Sequence, residues 1–167
     1  MQKYILFTGC TGVGKSFIIE ALLSKISNLM ATKDIKFYSD PYVNNPFLTS
    51  AYQNKDKCFQ SQIFFFKEFL KIHKEISCLD ECIIFQERSI FESVRIFCKL
   101  YDKQGLISHE EYDVCEELLY LVKDWIKLPD FIVNINSDLD NIQKRIMLRG
   151  RSFEDNINLT FTKIQKN

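Results

Sequence analysis

Eight residues near the start of the chain have the types and the spacing of a phosphate-binding loop. They read Gly9-Cys10-Thr11-Gly12-Val13-Gly14-Lys15-Ser16, which fits the pattern G-x-x-x-x-G-K-S. An apolar run at residues 4–7 precedes the loop and an apolar helical pattern at residues 17–26 follows it. The glycines allow backbone N–H groups to turn toward phosphate oxygens, and the start of the helix adds partial positive charge.

Two side chains of this loop can take part in chemistry. Lys15 can reach the β and γ phosphates of a nucleotide, and Ser16 can offer its hydroxyl to Mg²⁺. The alternative interpretation is a glycine-rich turn that only joins a strand to a helix. The complete pattern and its flanks favour phosphate binding, so the sequence predicts a nucleoside triphosphate as ligand.

Charged residues also follow two other predicted strands. Glu87-Arg88-Ser89 comes after the third strand, and the carboxyl ends of parallel strands border the ligand crevice. Glu87 could hold Mg²⁺ directly or through water, and Arg88 could pair with phosphate oxygens or with a catalytic carboxylate. Asp40, which follows the second strand, could accept the proton of an attacking hydroxyl. The alternatives are a charged helix cap for the triplet and an ordinary Asp-Pro turn for Asp40.

Three arginines form the last cluster with possible chemistry. Arg145, Arg149 and Arg151 end a predicted helix and enter a loop that contains Gly150. Such a cluster can be a solvated helix end that the helix dipole favours. It can also be a lid that neutralises a phosphoryl group during transfer, and the phosphate-binding loop favours this second interpretation.

The elements that must position these residues alternate along the chain. Four short apolar runs, at residues 4–8, 35–39, 82–86 and 131–135, are typical of strands buried on both faces of a parallel sheet. Helical patterns lie between them, including residues 61–76 and 138–148, and capping boxes begin at Ser89 and Ser108. We therefore predict one α/β domain over residues 1–167, with a three-layer P-loop NTPase-type fold, a central parallel sheet and helices on both faces.

Composition narrows the class of protein. The 22 basic and 22 acidic residues cancel, which argues against a nucleic-acid partner. The six cysteines form no C-x-x-C pair and no zinc spacing, which favours reduced thiols in a cytoplasmic protein. A signal peptide and a stretch long enough for a membrane span are both missing from the sequence, so we expect no membrane partner.

In order and spacing, these segments resemble the deoxynucleoside kinase family, the P-loop salvage enzymes that move a γ-phosphate onto a deoxyribonucleoside 5′-hydroxyl. Besides the loop, the resemblance covers residues 39–48, 59–62, 87–91, 128–130 and 145–154. It implies ATP or another nucleoside triphosphate as donor, Mg²⁺ as cofactor and a deoxynucleoside as substrate. Family members commonly pair as dimers, and the apolar residues 90–101 and 112–125 could form such an interface or an ordinary core.

The resemblance also implies a role for each matching residue. Asp40 stands at the position of the general base, Glu87 at that of the metal-side carboxylate, and Arg88 at that of the arginine near the 5′-hydroxyl. The lid arginines, the base-reading glutamine and the residues that hold the 3′-hydroxyl are matched by Arg145, Arg149, Arg151, Gln62, Glu154 and Tyr52.

Three departures from the family pattern bear on function. Asp40 is one methylene shorter than the usual glutamate, a loss of reach of roughly 1.5 Å. Phe69 and Ser93 stand where the family has an arginine and an aspartate, so part of the usual base-recognition set is replaced. The pattern predicts four strands, without the family's fifth strand, whose following loop packs near the donor's adenine.

Three hypotheses follow from the sequence. The leading one is a deoxynucleoside kinase that uses ATP and Mg²⁺. The second is a degenerate relative that binds nucleotide without catalysis, and the third is a nucleoside monophosphate kinase on the same fold. A GTPase is disfavoured because the sequence has no N-K-x-D guanine motif.

Overall fold

The computed structural model describes residues 2–29 and 34–151. The strands are β1 (Lys3–Thr8), β2 (Ile35–Tyr38), β3 (Ile83–Glu87) and β4 (Phe131–Asn134). The helices are α1 (Lys15–Leu29), α2 (Leu48–Gln53), α3 (Cys58–Ser77), α4 (Ile90–Glu92), α5 (Lys99–Lys103), α6 (His109–Val122) and α7 (Leu139–Arg149). Two 3₁₀ turns, Pro41–Asn44 and Lys123–Trp125, and a π-helical segment, Ser93–Cys98, complete these elements.

The four strands form one parallel sheet in the order β2-β3-β1-β4. In the register between β1 and β3, Leu6 lies opposite Gln86 and Phe7 lies opposite Glu87. Because all strands point the same way, the loops that follow them meet at one edge of the sheet. The predicted α/β fold with a central parallel sheet is confirmed, and the strand bounds agree with the prediction to within one residue.

Apolar side chains on opposite faces of the sheet pack against different helices. On one face, Phe7 and Phe85 pack with Ile19 of α1. On the other face, Tyr4 and Ile84 pack with Ile76 of α3. The side chains of Tyr4 and Phe7 point to opposite faces of the sheet because successive side chains of a strand alternate. Helices therefore cover both faces of the central strands, as predicted.

The prediction that all four strands are buried on both faces is wrong for β4. Every residue of β4 is exposed, and Ile132 is 64% exposed. β4 pairs with β1 on one side, and no described strand pairs with its other side. An apolar run therefore predicted the strand correctly, but it could not tell an edge strand from a central one.

The two predicted capping boxes differ in the structure. At Ser108 both reciprocal bonds with Glu111 are present. At Ser89 the side chain accepts from the backbone N–H of Glu92, but the Glu92 carboxylate accepts a 2.7 Å bond from the Thr8 hydroxyl instead of closing the box. Glu92 is buried at the ends of β1 and β3, so it belongs to the neighbourhood of the phosphate-binding loop.

Two expectations from the family resemblance fall outside the described residues. One is the role of Glu154, and the other is the next helix of the family, for which residues 157–166 are the matching segment. No described helix combines the length and apolarity that a bilayer crossing requires. That the chain forms one domain stays a prediction.

Candidate active site

The loop at residues 9–16 joins β1 to α1 at the edge where the strands end. Lys15 is only 4% exposed, and its Nζ donates to the carbonyls of Gly9, at 2.9 Å, and Cys10, at 3.1 Å. Burial, and to a lesser extent the neighbouring Arg88, lower the pKa of Lys15 to about 8. An anion bound in this loop would therefore meet a buried cation already held in place by the loop.

Close packing explains why two positions of the loop are glycine. At Gly9, where φ is 139°, a Cβ atom would overlap with the backbone carbonyl oxygen of Ile135. At Gly12, where φ is 81°, a Cβ atom would lie 2.6 Å from Cγ1 of Ile146 in α7. The loop is therefore clamped between the end of β4 and α7, and only glycine fits both the backbone angle and the space.

Ser16 and Glu87 form an oxygen pair beside the loop. The Ser16 hydroxyl lies 3.0 and 3.2 Å from the two carboxylate oxygens of Glu87. Ser16 opens α1 and Glu87 ends β3, so the sheet brings them together across 71 residues. Hydroxyl and carboxylate oxygens are ligands that Mg²⁺ prefers, so this donor set fits a magnesium ion.

Asp40 and Arg88 form a charge pair at the centre of the crevice. Arg88 Nε lies 2.8 Å from Asp40 Oδ2, while the other carboxylate oxygen, Oδ1, is buried and has no hydrogen-bond partner among the described residues. Arg88 also donates to the Thr11 hydroxyl at 3.0 Å and stacks 4.6 Å from the ring of Phe97. Burial alone would lower the pKa of Arg88, but Asp40, Glu92 and Glu87 outweigh it and raise the pKa, so the guanidinium stays charged.

A deep pocket runs from the loop past Asp40 to a mostly aromatic end. Two predicted substrate residues, Tyr52 and Gln62, line it. Gln62 is buried, and its Oε1 accepts from the Ser93 hydroxyl at 3.3 Å and from the Cys98 thiol at 3.8 Å. Since Oε1 is engaged by the protein, the donating amide nitrogen is the group left for a ligand. The apolar and aromatic residues around it are Leu48, Phe65, Phe69, Phe97 and Tyr101.

The three arginines of the predicted lid take two different positions. Arg149 and Arg151 line the pocket, and the Arg151 guanidinium lies 3.9 Å from the ring centre of Tyr42, which lines it too. Arg145 instead donates a 2.7 Å hydrogen bond to the backbone carbonyl of Val13 in the loop. Arg145 is therefore attached to the phosphate-binding loop, and Arg149 and Arg151 face the space between the loop and Asp40.

A phosphate cradle, a magnesium-type oxygen pair and a carboxylate with a free buried oxygen thus share one crevice. The family model for deoxynucleoside kinases matches residues 5–165 of this chain. The chain belongs to the deoxynucleoside kinase family. The resemblance drawn from its motifs is confirmed.

Curated relatives cover most of this chain with moderate identity. The deoxyadenosine/deoxycytidine kinase of Bacillus subtilis is 29% identical over 156 residues, which cover 92% of this chain and 68% of that protein. The deoxyguanosine kinase of Lactobacillus johnsonii is 30% identical over 90% of this chain and 65% of its own length. The deoxyadenosine kinase of Dictyostelium discoideum is 25% identical over 95% of this chain and 61% of its own length. The chain therefore spans about two thirds of the length of these relatives.

Solved structures of a deoxyadenosine kinase from M. mycoides have the same fold. One, with dCMP and a flexible dCDP bound, superposes with a TM-score of 0.83 at 22% identity, covering 99% of this chain and 80% of that chain. Another, with dATP bound, has a TM-score of 0.79. This likeness confirms the P-loop NTPase-type fold of the family member described here.

Several residues of this kinase-family site were missed from the sequence. Thr11 was taken only as part of the loop, yet its hydroxyl accepts from Arg88. The sequence indicates only a capping role for Glu92, yet its carboxylate accepts from the hydroxyl of Thr8 at the end of β1. Tyr42, Phe97 and Tyr101 line the pocket, and ordinary core packing explains aromatic residues in such patterns equally well.

Proposed function

We propose that the chain transfers the γ-phosphate of ATP to the 5′-hydroxyl of a deoxyribonucleoside in nucleotide salvage in the cytoplasm. The observation that carries this proposal is the buried Oδ1 of Asp40, which has no hydrogen-bond partner within residues 2–29 and 34–151 and lies in the same pocket as Lys15 and Ser16. A buried carboxylate oxygen without a donor is costly unless a ligand supplies one. A hydroxyl of the substrate is such a donor.

At the donor end, the loop holds the phosphates of ATP. Its N–H groups and the start of α1 attract the phosphate oxygens, and Lys15 supplies a full positive charge. Ser16 and Glu87 would hold Mg²⁺, which neutralises phosphate charge when it is bound. Arg149 and Arg151 face the transferring group from the other side of the pocket, where they stabilise its charge.

At the acceptor end, Asp40 orients the attacking hydroxyl and takes its proton. Arg88 holds Oδ2 of Asp40, which leaves Oδ1 directed at the hydroxyl. The proton then moves from the hydroxyl to Oδ1 as the hydroxyl oxygen bonds to the γ-phosphorus. The bond between the γ-phosphorus and the β–γ bridging oxygen breaks at the same time, so ADP leaves with the electron pair of that bond.

At the far end of the pocket, Gln62 would recognise the nucleobase. Its amide nitrogen would donate to an acceptor on the base edge, and the aromatic walls would stack on the ring. Tyr52 would contact the sugar, and Glu154 is proposed for the 3′-hydroxyl from its motif alone.

A coupled assay with ATP, Mg²⁺ and each of the four natural deoxynucleosides tests the proposal. We expect turnover with at least one of them, and turnover with none would overturn the proposal.

Lys15→Ala and Asp40→Ala should each lose most of the turnover, about a hundredfold or more, whereas Asp40→Glu should keep or raise it. Asp34→Ala, which removes an exposed carboxylate at the start of β2, is the matched control and should be silent.

The substituted positions Phe69 and Ser93 motivate the alternative of a nucleotide-binding relative without catalysis. Calorimetry separates the two functions. Binding of ATP together with a deoxynucleoside supports the kinase, whereas binding of ATP alone supports the relative without catalysis. Binding of a nucleoside monophosphate as the acceptor would instead favour the monophosphate kinase.

A further inference from the structure

Gln86 is an unusual residue for its place in the fold. It lies in β3, one of the two central strands, and its side chain is 0% exposed. Its neighbours Ile84 and Phe85 are apolar and buried, as expected for a strand covered on both faces. A buried amide in such a place is costly unless all its groups are paired, so the partners of Gln86 show what it does.

The partners of Gln86 are a core tyrosine and the backbone of a site residue. The Tyr4 hydroxyl donates to Gln86 Oε1 at 2.7 Å, and Gln86 Nε2 donates to the backbone carbonyl of Arg88 at 2.8 Å. Tyr4 is also 0% exposed, and burial raises its pKa, so the hydroxyl keeps its proton and remains a donor. A chain of two buried hydrogen bonds therefore runs from the core to Arg88.

The backbone of Arg88 needs such support. Its φ of 63° is in the left-handed region, which is strained for a residue with a Cβ atom. The N–H of Arg88 donates to the Phe7 carbonyl at 3.0 Å, and Gln86 binds the Arg88 carbonyl, so both peptide groups of this residue are held. The left-handed turn directs the guanidinium into the crevice, where it meets Asp40 and Thr11.

We propose that Gln86 and Tyr4 are positioning residues of the phosphoryl transfer. They hold the backbone of Arg88 so that its guanidinium fixes the carboxylate of Asp40 toward the acceptor hydroxyl. This inference rests on the proposed function of Asp40, since it concerns how that residue is aimed. Neither residue lines the pocket, so both act only through Arg88.

Three variants test the proposal by steady-state kinetics. Gln86→Met removes both hydrogen bonds at similar volume, and Tyr4→Phe removes only the hydroxyl. We expect kcat to fall about tenfold in the first and about threefold in the second, because a misplacement of 1 Å can cost up to about a hundredfold. The KM for ATP should change less than kcat does, because Gln86 binds the Arg88 backbone and Arg88 reaches the phosphate-binding loop at the Thr11 hydroxyl, not at Lys15 or Ser16. Tyr38→Phe, the same change in a tyrosine packed beside Tyr4, is the control and should be silent.

A double-mutant cycle separates positioning from a general loss of stability. If Gln86 acts through Arg88, Gln86→Met should add little to the loss caused by Arg88→Lys. If the two losses multiply, the proposal is wrong. All variants are assayed well below their melting temperatures, so partial unfolding does not contribute.

A spectroscopic test does not depend on turnover. The Arg88 Nε–Hε resonance, assigned from its absence in Arg88→Lys, reports the bond to Asp40 by its shift and slow exchange with water. Gln86→Met and Tyr4→Phe should shift or broaden it, and Tyr38→Phe should not. An unchanged resonance in Gln86→Met overturns the proposal, whereas an inactive parent chain with the expected spectral change overturns only the proposed function.

Discussion

At the scale of single residues, His73 is the most unusual titratable group outside the pocket. It is 3% exposed, its ring meets the ring of Tyr4 edge-on at 6.5 Å, and neither ring nitrogen has a partner among the described residues. Burial lowers its pKa to about 4. His73 is therefore neutral near pH 7 and acts as a small aromatic part of the core.

The burial of His73 predicts a loss of stability in mild acid. Its folded pKa lies below the value of about 6.5 in the unfolded chain, so the unfolded state takes up the proton first as pH falls. The contribution is therefore complete above pH 7 and is lost between about pH 6.5 and pH 4. Between pH 7 and pH 5 we expect this group to cost about 2 kcal/mol in the free energy of unfolding, measured by urea denaturation.

Two variants identify the source of this pH dependence. His73→Leu should remove most of the difference between pH 7 and pH 5, because no proton is then taken up at this position. His109→Leu, which changes an exposed histidine on α6, should keep it. If His73→Leu loses as much stability in acid as the parent chain, another group is responsible.

At the scale of elements, the phosphate-binding loop depends on the two elements packed against it. The end of β4 touches Gly9, while α7 touches Gly12 through Ile146 and binds Val13 through Arg145. The loop, β4 and α7 therefore form one packed unit. A substitution at any of these contacts should therefore change the affinity for the nucleotide.

Gly9→Ala is the sharpest test of this packing. The new Cβ would overlap with the Ile135 carbonyl, so the loop or the end of β4 must move. We expect affinity for ATP, measured by calorimetry, to fall at least about tenfold, with a stability loss of about 1–3 kcal/mol. Gly105→Ala, at a positive φ of 65° with no atom within 4 Å of the new Cβ, is the control. It carries backbone strain alone and should leave ATP affinity unchanged, and equal losses of affinity in both variants would contradict the packing argument.

The sequence predicted the elements better than it predicted their surroundings. Apolar periodicity and the phosphate-loop pattern were enough for the four strands and for the side chains at their ends. The sequence could not predict the π-helical segment or the exposure of β4, because both features depend on what packs beside these elements. In the same way, Arg145 and Arg149 share a helix face by spacing, yet only contact with the loop shows that the first binds Val13. The pairs Asp40–Arg88 and Ser16–Glu87 join residues far apart in sequence, so only the folded sheet could reveal them.

At the scale of the whole molecule, charge and apolar surface are distributed unevenly. The chain has no net charge, but its crevice concentrates Lys15, Arg88, Arg149 and Arg151 around the position proposed for the phosphates. Most of the exposed apolar residues lie elsewhere, on β4, on α7 and on the C-terminal part of α6 with the turn that follows it. The sequence offered residues 90–101 and 112–125 for a dimer interface or an ordinary core, and the dimer interface stays a prediction.

The edge strand β4 predicts how the described chain associates when it is concentrated. Phe131, Ile132 and Val133 are 57%, 64% and 38% exposed, and an apolar edge strand is a template for pairing with another chain. Ile132→Lys places a charge on this edge and should raise the concentration at which aggregation begins, measured by light scattering, at least about twofold. Leu121→Lys, at a residue of α6 that is 68% exposed, removes as much apolar surface away from the edge. It should have the smaller effect, because it leaves accessible the edge of β4 that pairs with no described strand. If Leu121→Lys had the larger effect, the surface through which the chains associate would lie on α6, which would support the helical dimer interface instead.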